Sequence, residues 1–287
     1  PTFRPTQYAM QWFFDIQRQL PQNVLLTVSY IGSGSRQGQW NRNLNAVGAG
    51  AGSIASRRPW PYFNDVNYYQ SGGNTSYNAL AVKTERRFSR ELTFLTSYTW
   101  SHMLDDGAGM LGEGGTWRNP HEIRWDRASA NYDRRHNLVS SFVYNLPFGR
   151  RERWGRSWNR VVDGVLGGWQ LGGILTFRSG RLFSVTVSGN PENSDGTNYA
   201  DRLRHGSLPA DQRSIDRWFD LTAFAVPAQY TYGNGGRNIL RSPGFSNQDL
   251  KVSKNFRVRE RARAELRLEM FNFTNHPNFG KPNSVLQ

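Results

Sequence analysis

The sequence contains no cysteine, which excludes disulfide frameworks, thiolate-held zinc, iron–sulfur clusters and thiol catalysis. Lysine is almost as scarce. Lys83, Lys251, Lys254 and Lys281 are four of the 36 basic residues, so arginine supplies the other 32. No apolar run approaches the ~18 residues of a membrane-crossing helix. The chain opens on Pro1 with no recognisable signal peptide, so a piece of a longer protein is expected. His102, His121, His136, His205 and His276 are scattered, without HExxH or paired-ligand spacing, and no Gly-x-Ser-x-Gly elbow is present. Neither an enzyme nor a metal or other cofactor is therefore expected. Asp105-Asp106-Gly107 opens like a calcium loop, but Ala108-Gly109-Met110 breaks the ligand pattern. A solvated turn is favoured over a cation held by Asp105, Asp106 or Glu113. Gly233-x-Gly235-Gly236 lacks the lysine of a phosphate loop and reads as a turn.

What is present is alternation. The 287 residues are 37% hydrophobic and 14% aromatic, with a net charge of 36 − 22 = +14. Tyr8, Met10, Trp12, Phe14 and Ile16 occupy every second position, followed after Leu20–Gln22 by Val24, Leu26, Val28 and Tyr30. The pattern recurs at Leu80, Val82, Phe88; at Leu92, Phe94, Tyr98, Trp100; at Leu138, Phe142, Tyr144, Leu146; and at Trp169, Leu171, Leu175, Phe177. It ends with Leu250, Val252, Phe256 and with Ala264, Leu266, Leu268, Met270. Period 2 predicts strands with one apolar and one polar face. Eight are counted, most about nine to thirteen residues long, against ~5–6 in ordinary soluble sheets. Their connections alternate in length. Leu20–Gln22, Ser89–Arg90 and Arg257–Glu260 are short and Pro147–Gly167 intermediate, whereas residues 32–77, 102–134 and 189–245 form long loops.

Hydrocarbon demands that every backbone N–H and C=O be paired internally, which a closed barrel achieves. In such a barrel Leu92, Phe94, Tyr98, Leu266 and Leu268 would meet lipid, and Glu85, Arg87, Glu265 and Arg267 a wet lumen. Tyr30, Trp100, Tyr144, Trp169 and Phe177, near strand ends, suit the interfaces. Lys254 sits on the apolar parity and would have to snorkel from the membrane edge. The expected fold class is thus an all-β, antiparallel up-and-down transmembrane β-barrel. One alternative is a soluble β-sandwich serving as an adhesion or carbohydrate-binding module, disfavoured by strand length and loop asymmetry. A second is a nucleic-acid binder, suggested by Arg150, Arg151, Arg153, Arg156 and Arg160 interleaved with Trp154 and Trp158. Trp154, Trp158, Val161 and Val162 stand at i, i+4, i+7, i+8, so that stretch is read as a short amphipathic helix at the membrane surface. No nucleic-acid partner is expected, because the remaining positive charge is dispersed.

Several stretches resemble a known family. They are Tyr77-Asn78-Ala79-Leu80, Glu85-Arg86-Arg87-Phe88-Ser89, Tyr132-Asp133-Arg134-Arg135-His136, Leu146-Pro147-Phe148-Gly149 and Gly167-Gly168-Trp169-Gln170-Leu171. Gly233-Asn234-Gly235-Gly236-Arg237-Asn238 and the run Phe271 to Gly280 complete the ordered set. Together these are similar to TonB-dependent outer-membrane receptors of the Oar-like subgroup. The resemblance implies a barrel of roughly 22 strands with an internal plug, placed in the outer membrane of a Gram-negative-type bacterium. It implies ligand uptake powered through the inner-membrane TonB complex. Neither a plug domain nor a TonB-contacting segment is recognisable in residues 1–287, so a partial barrel domain is expected, with plug and TonB complex as partners through the rest of the protein. The other expected partners are outer-membrane lipid and lipopolysaccharide, and a small-molecule, glycan or peptide ligand. Capture from outside must fall to the long loops. Their flat apolar faces and forked donors are Trp60, Tyr62, Tyr68 and Tyr69, then Trp117, Arg118 and Trp125, then Trp218, Tyr232 and Arg237. The competing role for each is to pack the loops against one another or to hold lipopolysaccharide phosphates.

Overall fold

The computed structural model describes residues 5–87, 91–107, 117–150, 152–259 and 262–287, with no side-chain description for 257–259, 262 and 263. Phe88, the Ser89–Arg90 turn, Ala108 to Met110, Glu113, Arg151 and the Arg257–Glu260 turn as a unit lie outside what is described. Eight long strands form one antiparallel meander: β1 (Tyr8–Leu20), β2 (Val24–Asn43), β3 (Asn67–Arg86), β4 (Leu92–Asp105), β5 (His136–Asn145), β6 (Trp169–Arg178), β7 (Phe245–Arg259) and β8 (Ala262–Met270). Each pairs with the next in chain order. Among the described residues, β1 and β8 have no second long neighbour.

Residues opposite one another in an antiparallel ladder share a face, so the register sorts every side chain. One row across the sheet reads Ile16, Val28, Val82, Tyr98, Leu138, Phe177. The next row up reads Phe14, Tyr30, Leu80, Trp100. On the other face a row reads Gln17, Thr27, Lys83, Ser97, Val139, Thr176, Asn247. The apolar face carries Phe94, Leu250, Val252, Leu266 and Leu268, and the polar face Glu85, Lys251, Glu265 and Arg267. Both match the alternation. Charges on the polar face neutralise one another: Glu85 meets Lys83 at 3.1 Å and Arg87 at 3.0 Å, and Glu265 meets Arg267 at 3.0 Å.

Trp12, Phe14, Ile16, Leu266 and Leu268 remain exposed on the apolar face. A sandwich would bury such a face under a second sheet, but the remaining strands are two-residue pieces. No helix among the described residues is long and apolar enough to cross a membrane, so any crossing falls to the strands. The basic residues Arg18, Arg86 and Lys254 do share the apolar face, all near the short-turn end. Lys254 is only 3% exposed. Its Nζ donates to the carbonyls of Val165 at 2.9 Å and Gly167 at 2.5 Å, and stands 5.1 Å from the Trp169 ring centre. It satisfies carbonyls that the helix end leaves unpaired.

Two expectations need correction. The first long loop is not 32–77, because β2 and β3 stay paired from Gly32↔Asn78 up to Asn43↔Asn67, with an irregularity at Gly38. The apolar alternation stops at Gly32 while the backbone ladder continues. At ~3.3 Å per residue β2 spans roughly 65 Å, well beyond the ~30 Å of a hydrocarbon layer. Its upper half has no lipid to face and reads as polar. The long connections become 44–66, 106–135 and 179–244. The second correction concerns the helix, which covers only Arg160–Leu166. Gly155 takes a left-handed φ of +98°, and Asn159 caps the helix by accepting from the N–H groups of Val161 and Val162. Trp154 instead bridges to Phe148, their ring centres 5.4 Å apart.

Leu268→Arg, on the apolar face, is expected to cost about 2–4 kcal/mol of folding free energy near the bilayer midplane, and Phe94→Arg, opposite Arg86 near the short-turn end, less. Arg267→Gln, on the polar face, should cost far less. Refolding titrations into lipid vesicles that ranked these variants in reverse would refute the assigned faces.

Candidate functional site

The three long connections gather at the end of the sheet opposite the short turns and fold on each other. The third builds its own small core from Phe183, Val185, Ala200, Phe219, Phe224 and Leu240. Phe183, Phe219 and Phe224 meet edge to face at 5.5 and 6.1 Å. The first connection is shaped by the buried Asn45, whose Nδ2 donates to the carbonyls of Trp60, Phe63 and Asn64 and whose Oδ1 accepts from Trp60 N–H. One amide thereby fixes the loop tip.

Polar groups then tie the connections together. Asp195 accepts from Val47 N–H at 2.9 Å and pairs with Arg58 at 3.4 Å. The Tyr232 hydroxyl accepts from Ala49 N–H at 2.9 Å. Arg118 donates to the Gly233 carbonyl at 2.5 Å, and Arg241 pairs with Asp133 at 3.0 Å. Arg237 pairs with Asp105 and donates through Nε to the Asp126 carbonyl at 3.0 Å. Gly233 and Gly235 allow this closeness. A Cβ there would stand 1.9 Å from the Tyr199 carbonyl and 2.4 Å from that of Ala200. The glycine-rich motif is thus a backbone contact. Asp105 and Asp106 serve the same framework, since Asp106 accepts from Asn74 and pairs with Arg127.

Burial dominates the electrostatics. Asp126, 1% exposed, has its pKa pushed up to about 6 by loss of water, although it accepts from Arg118 N–H at 2.7 Å. Glu192 is also raised by burial, and Arg237 is lowered to about 10 for the same reason. Such groups hold structure at the expense of solvation.

This arrangement sorts the candidate capture residues. Arg237 is 7% exposed and Trp117 5% exposed. Both belong to the framework, a correction to their expected role in capture. Trp117 donates from its ring N–H to the Asn41 carbonyl and meets Trp40 edge-on at 5.3 Å. Trp218 packs against the small core and donates to the Arg241 carbonyl at 2.7 Å. Tyr68 and Tyr69 stand on β3, not in a loop, although Tyr69 is exposed. Trp60 is half-exposed and Tyr62 is 96% exposed at the first loop's tip. Arg118, Trp125 and Tyr232 come together from two connections. Trp125 meets Tyr232 edge-on at 5.5 Å, and the Arg118 guanidinium lies 5.1 Å from the Trp125 ring centre. Trp125 stays exposed within this trio. The ten residues do not line one pocket. His136, at the start of β5, is bonded to the Tyr98 hydroxyl through Nδ1 at 2.8 Å.

The comparisons follow this geometry. A family model described as an outer membrane beta barrel domain matches residues 1–287. The chain belongs to that family. It is an outer-membrane protein whose eight long strands form part of an antiparallel barrel wall. The crystal structure of the outer membrane transporter YddB from Escherichia coli is similar, with a TM-score of 0.49 and 9% identity over 95% of this chain. This chain spans 29% of that transporter's length. No curated protein matches the sequence.

Two outcomes test the loop framework. Arg237→Met leaves Asp105 buried without its cation and should destabilise the loops by about 3–5 kcal/mol. Rapid proteolysis of residues 179–244 with an SDS-resistant wall is the expected result; unchanged loop protection would refute the assignment. Asp126 supplies a pH dependence. Its folded pKa lies above the ordinary 3.8, so its stabilising protonated form is present below about pH 4 and lost as pH rises through about 6. The loss is at most about 3 kcal/mol. Hydrogen exchange at Arg118, corrected for intrinsic rates, should show weaker protection at pH 7.5 than at pH 4.5, and Asp126→Asn should flatten the difference.

Proposed function

We propose that the chain forms part of the wall and extracellular roof of a TonB-dependent receptor, of the Oar-like subgroup, that takes up a small molecule, glycan or peptide. One observation carries this reading. Loops tied together by ion pairs still present Trp60, Tyr62 and Trp125 to the outside, with Tyr69 exposed on β3, above a sheet face lined with paired charges. A passive pore needs no such roof; a receptor needs a pre-ordered surface, because ordering loops on binding costs affinity. Aromatic faces suit sugar or aromatic rings, and Arg118 suits carboxylate or phosphate.

The wall in this proposal continues beyond β1 and β8. Each carries a strand edge whose N–H and C=O groups need partners in hydrocarbon, and further strands would supply them. The plug and the energy-delivering TonB complex would act through those other parts of the receptor.

In cells making the complete receptor, uptake of a panel of fluorescent oligosaccharides and peptides should stop when a protonophore collapses the proton gradient. Alanine at Trp60, Tyr62, Tyr69 and Trp125 together should lower uptake at least about tenfold, with normal barrel levels in the membrane. Protonophore-resistant uptake would sink the energy coupling. Full uptake by the fourfold variant would sink the capture surface.

A further inference from the structure

A cavity of about 930 Å³ lies where the extracellular framework meets the lipid-facing side of the wall. Its floor includes Tyr98, Leu138 and Phe177, one row of the apolar face. Two segments roof it: Arg213 to Trp218 from the third connection and His276 to Pro282 from the tail after β8. The tail is anchored at both ends. Asn278 exchanges two hydrogen bonds with Ser246, at 2.8 and 2.9 Å, and Val285–Leu286 pairs with Thr186–Val187.

The lining is chemically one-sided. It contains Arg178, Arg213, Lys281, His136 and His276 but no aspartate or glutamate. Arg213 donates to the Leu208 carbonyl at 2.8 Å and lies 5.4 Å from the Trp218 ring centre. Among the described residues, neither Arg213 nor Lys281 has a carboxylate within ion-pair distance. An apolar floor continuous with the lipid-facing wall, under unpaired cations at the level of the outer headgroups, fits a molecule with an acyl chain and an anionic head.

We propose that this cavity binds a phosphorylated glycolipid of the outer leaflet, its phosphate held by Arg213 and Lys281 and one acyl chain laid along Leu138 and Phe177. Guanidinium and ammonium supply charge-assisted bonds to phosphate oxygens, and the ring of Trp218 holds Arg213 in place. The bound lipid would also join the third connection to the wall, so that the roof is fastened to the membrane it stands on. This site is independent of which ligand the receptor takes up.

The test uses the complete receptor in nanodiscs, titrated with a hexa-acylated diphosphoryl glucosamine disaccharide and with its dephosphorylated form, and read by native mass spectrometry. The wild type should bind the phosphorylated lipid at least about tenfold more tightly. The Arg213→Gln/Lys281→Gln variant should lose that preference, with unfolding temperature unchanged. Lys281 is exposed, so Lys281→Glu alone gives a second variant that spares the fold and should weaken binding in the same direction. Inorganic phosphate at millimolar concentration should not displace the lipid. Equal binding of the two lipids, undiminished preference in the variants, or displacement by phosphate alone would each overturn the proposal.

Discussion

Backbone hydrogen bonding in hydrocarbon is the constraint from which the wall follows. With no water to accept an N–H or donate to a C=O, the strands must satisfy one another along their whole membrane length. Among the described residues the ladders from β1 to β8 do so for the six strands between them and leave one edge each of β1 and β8 open. Their register is then held by side-chain parity, since a one-residue slip of β4 would turn Phe94 and Tyr98 inward and Leu95 and Ser97 toward lipid. The cations that break parity sit near the short turns. Lys254 is tolerated because its ammonium reaches two helix-end carbonyls and two aromatic rings instead of hydrocarbon.

The roof answers to different physics. Its connections carry little regular structure, so their carbonyls and amides have no ladder to join, and side chains must take that role. Asn45 closes the first connection on itself, Asp133 ties the second to β4, and Asp195 bridges the third connection to the first. The apolar core of the third connection is too small to hold three loops alone. Buried ion pairs add specificity, since removing either member strands the other. Raised Asp126 and Glu192 and lowered Arg237 are the electrostatic trace of that choice.

Alternation in the sequence made the wall legible, because lipid imposes one requirement on every second residue of every strand. All eight long strands and both faces were readable from it. The upper half of β2 was not, since above the membrane Ser33 to Asn43 alternates with nothing while its backbone still pairs. The helix was displaced for a local reason, a left-handed Gly155 and the Asn159 cap, which outweigh the spacing of Trp154 and Trp158. Residue type alone could not separate Trp125 from Trp117. Both are loop tryptophans, and only the approach of Trp40 makes one of them core. For Arg237 the sequence carried a hint in its glycines, which mark a crowded backbone, but Asp105 lies more than a hundred residues away.

The excess of arginine over lysine follows from the roof as well. A loop carbonyl points wherever its turn leaves it, and a donor that serves several of them must fork. Arg58 reaches the carbonyls of Asn45 and Asn64 while pairing with Asp195. Arg237 reaches the Asp126 carbonyl while pairing with Asp105, and Arg241 reaches that of Gly180 while pairing with Asp133. An ammonium is a strongly hydrated point charge on a flexible stem, whereas a guanidinium presents five donors in one rigid plane and is less costly to dry. Loops that must be rigid without strands or helices therefore draw on arginine. Lysine is left to the polar face of the wall, to the helix end at Lys254 and to the exposed tail at Lys281.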